Sequence, residues 1–576
     1  MSDFIFSTTR HPEGQFTQAL RSIYASDAPT VSEFHGAWGS LAATRNLYQG
    51  LQALDTERHL CVVIGGPVLK FASNGFLTGD DDTAGTRLIL DKYITGGLRW
   101  DQDLSGPFAV VIIDKISGAV NVATDMMGFI SVYRVDGADG EMIGTHSDAL
   151  AKASGIDVKF DPISLADFVL DGAVTFPFTA YADMRQLYPA TVHSWGGEAK
   201  AGYRAQIYWE PREGLTGDTL DEAATKLRLE LQEYSTRVTE SMQRIACFVS
   251  GGEDSRAVLG LLPRRCKRDA FIFLDAFNRE GRIAAACVEA YAANFKPFMR
   301  SPSFYLEHLF PAAQLMGSTW EARHAHTFEF HNTAQLTEYP AVFGGYLSDS
   351  FLKGHHIKKF KLGPFLPQIA RPRLAPTKVH ERSYFADDVV REVAARRQTH
   401  FDHLKQLRPK SAAEWFTLWP TSMRLTMASF QSSRRLFRTY EPFMAAGVVK
   451  IAASSPVSWK LNRRLFHRAV QPLLEPVKLL PHSDGRMPYY PWYNVLAHGG
   501  GWLRRKIELR NARDDQGAWT TLGTMRQSDI WPDMLKSLEQ DLTQSRRILG
   551  VEIGEAALRW PMKYQLRLMQ ILRLHA

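Results

Sequence analysis

Cysteine and net charge are both scarce in this sequence. Only four of its 576 residues are cysteines, Cys61, Cys247, Cys266 and Cys287, and no two of them form a CxxC pair. A disulfide framework is therefore excluded. The 68 lysines and arginines exceed the 61 aspartates and glutamates by only seven (68 − 61 = 7). This excess is too mild to indicate a nucleic-acid partner.

Long apolar runs are absent as well. No run approaches the roughly 18 apolar residues that a membrane-spanning helix needs. The first residues, MSDFIFSTTRHPEG, lack a basic segment followed by an apolar one. With 45% hydrophobic and 22% charged residues, the composition is that of a globular protein. We therefore expect a soluble, cytoplasmic protein without a membrane partner.

The pattern of the chain changes near residue 210. Before it, short apolar runs such as 108–114 alternate with turn residues and predict strands in packed layers. A linker-like stretch follows at 205–218, and from residue 244 long helices alternate with apolar strands. The sequence therefore predicts an α+β sandwich domain over 1–210 and an α/β domain over 211–576.

A basic insertion interrupts the second predicted domain at about 353–410. Its first part contains four prolines and the basic residues Lys353, His355, His356, Lys358, Lys359, Lys361, Arg371, Arg373, Lys378 and Arg382. This composition is typical of a solvated loop and also of a lid that contacts an anionic substrate. The sequence leaves both interpretations open.

The most informative segment is RIACFVSGGEDSRAVLGLL, residues 244–262. Its pattern predicts a buried strand, a turn at Gly251 and Gly252, and a helix from Arg256. Glycines let backbone N–H groups approach an anion, and the N-terminus of a helix adds partial positive charge. The segment therefore predicts an anion site.

Three side chains of the same segment specify the anion further. The hydroxyl groups of Ser250 and Ser255 can donate hydrogen bonds to phosphate oxygens. Phosphate would repel Asp254 unless a cation lay between them, which predicts Mg²⁺. The SGGxDS pattern resembles the PP-loop of enzymes that cleave ATP between the α- and β-phosphates, and no GxxxxGK[ST] motif occurs. ATP and Mg²⁺ are therefore the expected cofactors.

The flanking segments resemble asparagine synthetase. The resemblance runs, with gaps, from about residue 60 to about residue 490, and the matching segments follow that family's order. These segments include Ser105 to Ala109, Asp125 to Phe129, Asp161 to Gly172, Met184 to Pro189 and Tyr208-Trp209. The resemblance implies an Ntn-hydrolase-like domain of the glutamine amidotransferase type, followed by a PP-loop synthetase domain. It also implies a ligase that adenylates a carboxylate, releases pyrophosphate, and forms an amide with an amine.

A second loop carries a further part of this resemblance. Residues 345–354, GYLSDSFLKG, resemble the family's G-x-G-x-D-E-x-x-x-G loop. In the family the aspartate of this loop joins the PP-loop aspartate on Mg²⁺, which assigns Asp349 and Asp254 as metal ligands. Tyr346 resembles a tyrosine of β-lactam synthetase that belongs to a catalytic dyad. This makes Tyr346 a candidate for handling the proton of the attacking amine, and a packed loop aromatic is the alternative.

The sequence departs from the family at the glutaminase nucleophile. Glutamine-hydrolysing members need a cysteine directly after Met1, but residue 2 is Ser, and the nearest cysteine is Cys61. A hydroxyl cannot simply replace a thiol there because its pKa lies far above 7. The family's Asn-Gly-Glu glutamine pocket is also missing. We therefore expect no glutaminase activity, a loss that β-lactam synthetases and lasso-peptide cyclases share.

Further departures concern the synthetase site. Ser350 replaces the glutamate after the second-loop aspartate, and the E-x-R-x-P-F-L-D stretch appears only as RTYEPFM, residues 438–444. The family's late lysine has no clean match. Lys478 and Arg486 both lie near its place, and arginine can stabilise negative charge but cannot donate a proton at neutral pH. These changes indicate a substrate unlike aspartate, or a damaged active site.

One histidine cluster is also a candidate site. In RHAHTFEFH, residues 323–331, a strand would place His324 and His326 on one face, where they could bind a metal. Histidines that are half-exposed or satisfied within the core are the favoured alternative, and a position along a substrate cleft is a third.

The sequence as a whole predicts an ATP- and Mg²⁺-dependent amide ligase without glutaminase activity. Its loop residues hold the pyrophosphate of ATP, and they are Ser250, Gly251, Gly252, Asp254 and Ser255. The expected partners are a small-molecule or peptide carboxylate and an amine. Two alternatives stay open, a lasso-peptide isopeptide cyclase and a non-catalytic descendant that acts as a binding or scaffold protein.

Overall fold

The computed structural model describes most of the chain. The described residues are 2–25, 27–137, 140–155, 159–196, 202–214, 217–360, 369–370, 384–483, 485–490, 500, 503, 507 and 519–576. In the basic insertion, Lys361, Arg371, Arg373, Lys378 and Arg382 lie outside them.

Two antiparallel sheets form the N-terminal part. Their strands and one short pair (β6 and β7) are β1 Phe4–Ser7, β2 Val31–Gly36, β3 Gly39–Thr44, β4 Leu54–Asp55, β5 His59–Gly65, β6 Val68–Leu69, β7 Leu104–Ser105, β8 Phe108–Asp114, β9 Ala119–Thr124, β10 Tyr133–Gly137, β11 Gly140–Gly144, β12 Met184–Gln186, β13 Thr191–Trp195 and β14 Arg204–Ile207. The sheets have the orders β12-β10-β11-β1-β3-β2 and β14-β13-β9-β8-β5-β4. Apolar residues of both sheets belong to one hydrophobic cluster, as the predicted α+β layers require.

A parallel sheet forms the centre of the C-terminal part. The remaining described strands are β15 Arg244–Phe248, β16 Lys267–Leu274, β17 Asn294–Met299, β18 Val342–Phe343, β19 Lys359–Phe360, β20 Ile369–Ala370 and β21 Thr439–Tyr440. The sheet has the order β17-β16-β15-β18-β21, and all its neighbours pair in parallel. β19 and β20 form a separate antiparallel pair. The parallel sheet agrees with the α/β pattern of the sequence.

Helices surround these sheets. Those of seven or more residues in the described part are α1 Gln15–Arg21, α2 Ala84–Ile94, α3 Ser147–Ser154, α4 Pro162–Asp171, α5 Leu220–Val238, α6 Glu253–Leu261, α7 Arg279–Ala290, α8 Leu309–Met316, α9 Asp387–Leu407, α10 Met427–Leu436, α11 Ala446–Ser454, α12 Arg464–Val470, α13 Trp531–Asp541 and α14 Met562–Leu574. Of the described helices, none is both long and apolar enough to cross a bilayer.

The basic insertion is structured in part. Its last third forms α9, where the buried Arg397 pairs with Asp167 of α4 at 2.9 Å. At its other end, Lys353 is 7% exposed. Both ends of the insertion therefore contain buried residues, although His355 and Lys358 are exposed, and the choice between a solvated loop and a lid stays open.

A buried ionic cluster joins the two parts of the chain. The carboxylate of Asp3 accepts hydrogen bonds from Arg434 at 3.0 Å and from Arg435 at 2.9 Å, and all three side chains are almost fully buried. Burial opposes ionisation of Asp3, but the two guanidinium groups outweigh it and lower its pKa.

Replacing Asp3 by asparagine is expected to lower the free energy of unfolding by about 3–5 kcal/mol, because two buried arginines lose their shared counter-charge. Urea unfolding at pH 7 measures the change. Asp136→Asn is the matched control, since Asp136 is 70% exposed in its pair with Arg134 and such pairs contribute little. Equal stability of the two variants would contradict the prediction.

Candidate functional site

Two loops meet at one edge of the parallel sheet. Because β15 and β18 are parallel neighbours, their carboxyl ends lie at the same edge, where α/β sheets bind ligands. The glycine loop 250–252 follows β15, and the loop 344–347 follows β18. A Cβ atom on Gly345 would lie 3.4 Å from the Cβ of Asp254. The predicted approach of these two loops is therefore present in the structure.

The glycine loop is organised by its two serines. The Ser255 hydroxyl accepts a hydrogen bond from the N–H of Ser250 at 3.0 Å, and the two hydroxyl oxygens lie 3.1 Å apart. The N–H of Gly252 donates to the Ser250 hydroxyl at 3.1 Å. The helix α6 begins at Glu253, earlier than the predicted Arg256, because Gly252 already has the extended backbone of an N-cap.

The carboxylate of another residue binds one backbone N–H group of this loop. The N–H of Gly251 donates to Glu280 of α7 at 2.8 Å. Glu280 thus shows that the loop accepts an anion, and a phosphate oxygen would compete with it for the same N–H group. No local sequence pattern indicates this contact of Glu280.

Arg256 holds the glycine loop in place through hydrogen bonds to backbone carbonyl groups. Its fully buried guanidinium donates to the carbonyl oxygens of Gly251 at 3.1 Å, Leu480 at 2.8 Å and Pro481 at 2.6 Å. These bonds tie the loop to the segment that precedes Arg486. Arg256 therefore has a structural role.

A lysine approaches the two predicted metal ligands. The ammonium group of Lys353 is 2.5 Å from a carboxylate oxygen of Asp254. Burial opposes ionisation of Asp349, but the positive charges of Arg424 and Lys353 outweigh it and lower its pKa. A positive charge therefore lies near both Asp254 and Asp349, and no local sequence pattern indicates that Lys353 contacts Asp254.

The oxygen donors of Asp254 and Asp349 suit Mg²⁺, which binds few protein carboxylates together with substrate phosphates. Among the described residues, no group of three or more His, Cys, Asp or Glu side chains has metal-binding geometry. A site that also uses phosphate oxygens fits the residues present, and a site made by protein ligands alone does not.

Cations also surround the buried carboxylate of Glu253. Arg463 forms an ion pair with it, His467 is 3.0 Å away, and Lys353 is 3.6 Å away. Burial alone would raise the pKa of Glu253, but these three groups lower it well below its usual value. The start of α6 is therefore held in a region rich in positive charge, as an anion site requires.

Tyr346 belongs to the second loop and contacts α10. Its hydroxyl forms a short hydrogen bond with Ser429, and its N–H donates to Glu441 at 3.0 Å. Burial and the carboxyl group of Glu441 raise the pKa of Tyr346. A catalytic role for Tyr346 stays a prediction.

Glu441 belongs to the RTYEPFM stretch, and its contact with Tyr346 could not be predicted from the sequence. It is fully buried, and burial raises its pKa to about 8, although hydrogen bonds from Tyr346 and Thr439 oppose the shift. A Cβ atom on Gly344 would meet its carboxyl oxygen at 2.2 Å, so glycine is required there.

Glu441 gives the protein a pH-dependent stability. Because its pKa is near 4.5 when unfolded and about 8 when folded, the folded state binds the extra proton between these values. The free energy of unfolding is therefore expected to fall as pH rises from about 5 to 8, by up to about 1.4 kcal/mol per pH unit from this group. Urea unfolding at several pH values should show a shallower dependence in Glu441→Gln. Identical slopes in the two proteins would contradict this.

The N-terminal part has no cysteine in a nucleophile position. Ser2 is 1% exposed, and its hydroxyl lies 3.5 Å from the carbonyl oxygen of Val63. Burial raises the pKa of the Cys61 thiol to about 12. Cys61 therefore cannot supply a thiolate in place of a cysteine at residue 2.

The histidine-rich segment is not a strand. His324 ends a 3₁₀ turn, Ala322–His324, and His326 stacks on Trp519 with ring centroids 3.8 Å apart. His326 also bonds the hydroxyl of Tyr305 at 2.9 Å. The conditional metal site on a strand face is therefore wrong. Tyr305 satisfies His326, but the buried Nδ1 of His324 has no hydrogen-bond partner among the described residues, so the alternative of satisfied histidines holds for His326 and not for His324.

The two candidates for the late lysine, Lys478 and Arg486, have described contacts with other residues than Asp254. Lys478 pairs with Glu475 at 2.6 Å, with both side chains about half exposed. The carbonyl oxygen of Arg486 accepts from the N–H of His482 at 2.7 Å. Lys353 is instead the lysine in contact with Asp254.

Two of the solved structures that match parts of this chain have low similarity scores. Glutamine phosphoribosylpyrophosphate amidotransferase from B. subtilis is 12% identical with a TM-score of 0.23, covering 52% of this chain and 65% of that chain. NMN synthetase from Francisella tularensis is 16% identical with a TM-score of 0.18, covering 24% and 59%. Scores this low do not establish a shared fold.

Sequence comparisons are more informative. A family model described as "Glutamine amidotransferase domain" matches residues 73–209. "Asparagine synthetase [glutamine-hydrolyzing] 3" of Bacillus subtilis (strain 168) is 23% identical over 184 residues, 31% of this chain. The match spans only 29% of that relative's length. On these matches, the chain is related to the asparagine synthetases.

Proposed function

We propose that this protein is an ATP-dependent amide-bond-forming ligase. One observation carries the proposal: the glycine loop meets the second loop at the carboxyl edge of the parallel sheet. The second loop is followed by Asp349, and we call this segment, residues 344–349, the Asp349 loop. The meeting of the two loops combines backbone donors, two carboxylates and the ammonium group of Lys353. Such a combination suits a Mg²⁺-bound phosphate group, such as the pyrophosphate portion of ATP.

The proposed reaction has two steps. A carboxylate oxygen of the acid substrate attacks the α-phosphorus of ATP, and the bond between the α-phosphorus and the bridging oxygen breaks to release pyrophosphate. An amine then attacks the acyl carbon, AMP leaves, and the amine loses a proton. When Mg²⁺ is bound by Asp254 and Asp349, it supplies positive charge against the phosphates. The loop N–H groups and Lys353 orient the phosphates for departure of pyrophosphate.

A small cavity beside Asp349 supports an acid substrate. Its volume is about 310 Å³, at the lower end for ligand pockets. Arg424 lines it, and its guanidinium lies 3.6 Å from Asp349. Apolar side chains of Phe416, Met423 and Leu425 form part of its wall. A small acid could therefore place its hydrocarbon part there, next to a cation.

The test is ATP-dependent release of pyrophosphate and AMP from the full chain with Mg²⁺. Panels of small acids, peptides and amines are supplied, with and without glutamine. We expect release to need an added acid, amide formation to need an added amine, and glutamine to have no effect. Glutamine hydrolysis to glutamate would refute the proposed loss of glutaminase activity.

A non-catalytic binding protein is the second candidate. The specific observation in its favour is that protein groups already bind the proposed ligand sites. Glu280 accepts from the N–H of Gly251, and Lys353 pairs with the carboxylate of Asp254. ATP binding without pyrophosphate release, with every acid in the panel, would support this candidate over the ligase.

A further inference from the structure

The guanidinium group of Arg424 is buried without a hydrogen-bond partner. Its side chain is 11% exposed, and the oxygen of Asp349 with which it pairs is 3.6 Å away, which is too far for a hydrogen bond. None of its nitrogen atoms donates a hydrogen bond to a described residue, yet each of them keeps some accessible surface. Arg424 therefore has free N–H donors that a ligand can reach.

Arg424 lines the cavity of about 310 Å³ beside Asp349. His355 lines the same cavity, and its ring nitrogen is 3.7 Å from the carboxylate of Asp349. His355 is 60% exposed, however, and reaches water as well as the cavity. An anion that enters the cavity therefore finds its buried donors at Arg424, next to the predicted Mg²⁺ ligand.

The charge of Arg424 is only partly compensated. Burial lowers the pKa of Arg424, and the carboxylate of Asp349 opposes this shift without cancelling it. Asp349 is also shared, because the charge of Lys353 acts on it and because it is a proposed ligand of Mg²⁺. A buried cation with free donors is costly, and a further carboxylate would satisfy it through charge-assisted hydrogen bonds.

The rest of the lining indicates what else the ligand carries. Asp171 is the only carboxylate among the described residues of the lining, and it is paired with Arg397. An ammonium group on the ligand would have to compete with Arg397 for it. Phe416, Met423 and Leu425 add apolar surface. The cavity thus suits a ligand with one carboxylate and a hydrocarbon part.

We propose that Arg424 binds the carboxylate that is adenylated, and that the acid substrate is a small monocarboxylic acid with an apolar chain. The guanidinium group holds one carboxylate oxygen, the other oxygen attacks the α-phosphorus of ATP, and the chain contacts Phe416, Met423 and Leu425. The inference rests on the proposed ligase function, which requires an acid but specifies neither its class nor the residue that binds it.

Isothermal titration of the full chain tests the proposal, with Mg²⁺ and α,β-methylene-ATP present so that adenylation cannot proceed. The probes are 3-methylbutanoic acid, 3-methylbutanamide, which lacks the charge, and L-aspartate, which adds an ammonium group and a second carboxylate. We expect 3-methylbutanoic acid to bind about 10-fold more tightly than the amide. It should also bind more tightly than L-aspartate, because unmatched charges are costly to bury.

Two substitutions of Arg424 test its contact with the carboxylate. Arg424→Gln removes the charge and should weaken binding of 3-methylbutanoic acid about 10-fold, with little effect on the amide. Arg424→Lys keeps a charge in a different geometry and should give an intermediate value. Binding of α,β-methylene-ATP should stay unchanged in both, whereas a residue that only supported Asp349 would weaken it.

A third variant acts on the cavity and leaves Arg424 in place. Thr426 is exposed, lines the cavity, and does not cap α10 through its side chain. Thr426→Trp should narrow the cavity and weaken binding of 3-methylbutanoic acid, even if Arg424→Gln does not fold. The control Arg391→Gln removes an exposed arginine of α9 and should match the wild type.

Failure of the inference and failure of the proposed function give different results. If the ATP analogue binds but 3-methylbutanoic acid is preferred over neither the amide nor L-aspartate, the inference is overturned and the ligase proposal stands. A preference for the acid that survives both Arg424→Gln and Thr426→Trp also overturns it, as does loss of ATP-analogue binding in Arg424→Gln. No binding of the analogue to the wild type would refute the ligase proposal, and with it this inference.

Discussion

Replacing Asp254 by asparagine is expected to reduce acid-dependent pyrophosphate release about 10³-fold. The neutral amide removes one of two carboxylates available to Mg²⁺ and the partner of Lys353, and loss of several kcal/mol of charge stabilisation corresponds to a factor of this size. The measurement is the initial rate of pyrophosphate release from ATP, with the acid that supports the fastest wild-type reaction.

The fold should survive this substitution. The Asp254 side chain is 28% exposed, and the buried ammonium group of Lys353 keeps the carboxylate of Glu253 at 3.6 Å as a counter-charge. Asp221→Asn is the matched control, because Asp221 pairs with Arg468 on the exposed surface. An Asp254→Asn protein that releases pyrophosphate at the wild-type rate would contradict the assignment, and so would an equal loss in both variants.

The local structure of the site could be predicted from the sequence. An apolar strand followed by glycines and a helix has few alternatives, and the structure has β15, the turn and α6 in that order. The neighbouring position of the Asp349 loop followed from the resemblance to asparagine synthetase. The structure supplies the physical reason, since β15 and β18 are parallel neighbours whose loops must leave the sheet at one edge.

The charge partners of the site could not be predicted in this way. Lys353 is 99 residues from Asp254 in the chain, Glu280 is 29 residues from Gly251, and Glu441 is 95 residues from Tyr346. Each contact depends on tertiary packing, and a local sequence pattern cannot predict which distant residues come into contact. The sequence places Lys353 in a basic run typical of solvated loops, whereas its neighbours bury it.

In the histidine segment, the local sequence pattern itself was ambiguous. A His-x-His pattern puts two rings on one face only if the backbone is extended. Here the backbone turns at His324, and the same two residues face different partners. A short polar-aromatic pattern therefore does not determine whether it forms a strand or a turn.

Replacing Lys353 by methionine is expected to reduce pyrophosphate release about 10²-fold. The ammonium group is 6% exposed and lies at Asp254, where the phosphates of ATP would add negative charge, and removal of one such preorganised donor costs about this factor. Lys353→Arg should retain more activity than Lys353→Met, because arginine keeps the charge but not the compact geometry. Initial rates of pyrophosphate and amide formation are measured together.

The pattern of these rates identifies which step Lys353 serves. Parallel loss of pyrophosphate and amide places its charge in the adenylation step, as we expect from its contact with Asp254. A preserved single-turnover release of pyrophosphate with slow amide formation would contradict this and assign Lys353 to acyl transfer. Glu253 keeps Arg463 and His467 as partners in Lys353→Met, so loss of activity should not reflect unfolding.

The control Lys478→Met removes a lysine whose only described ion pair is with the exposed Glu475, and it should react like the wild type.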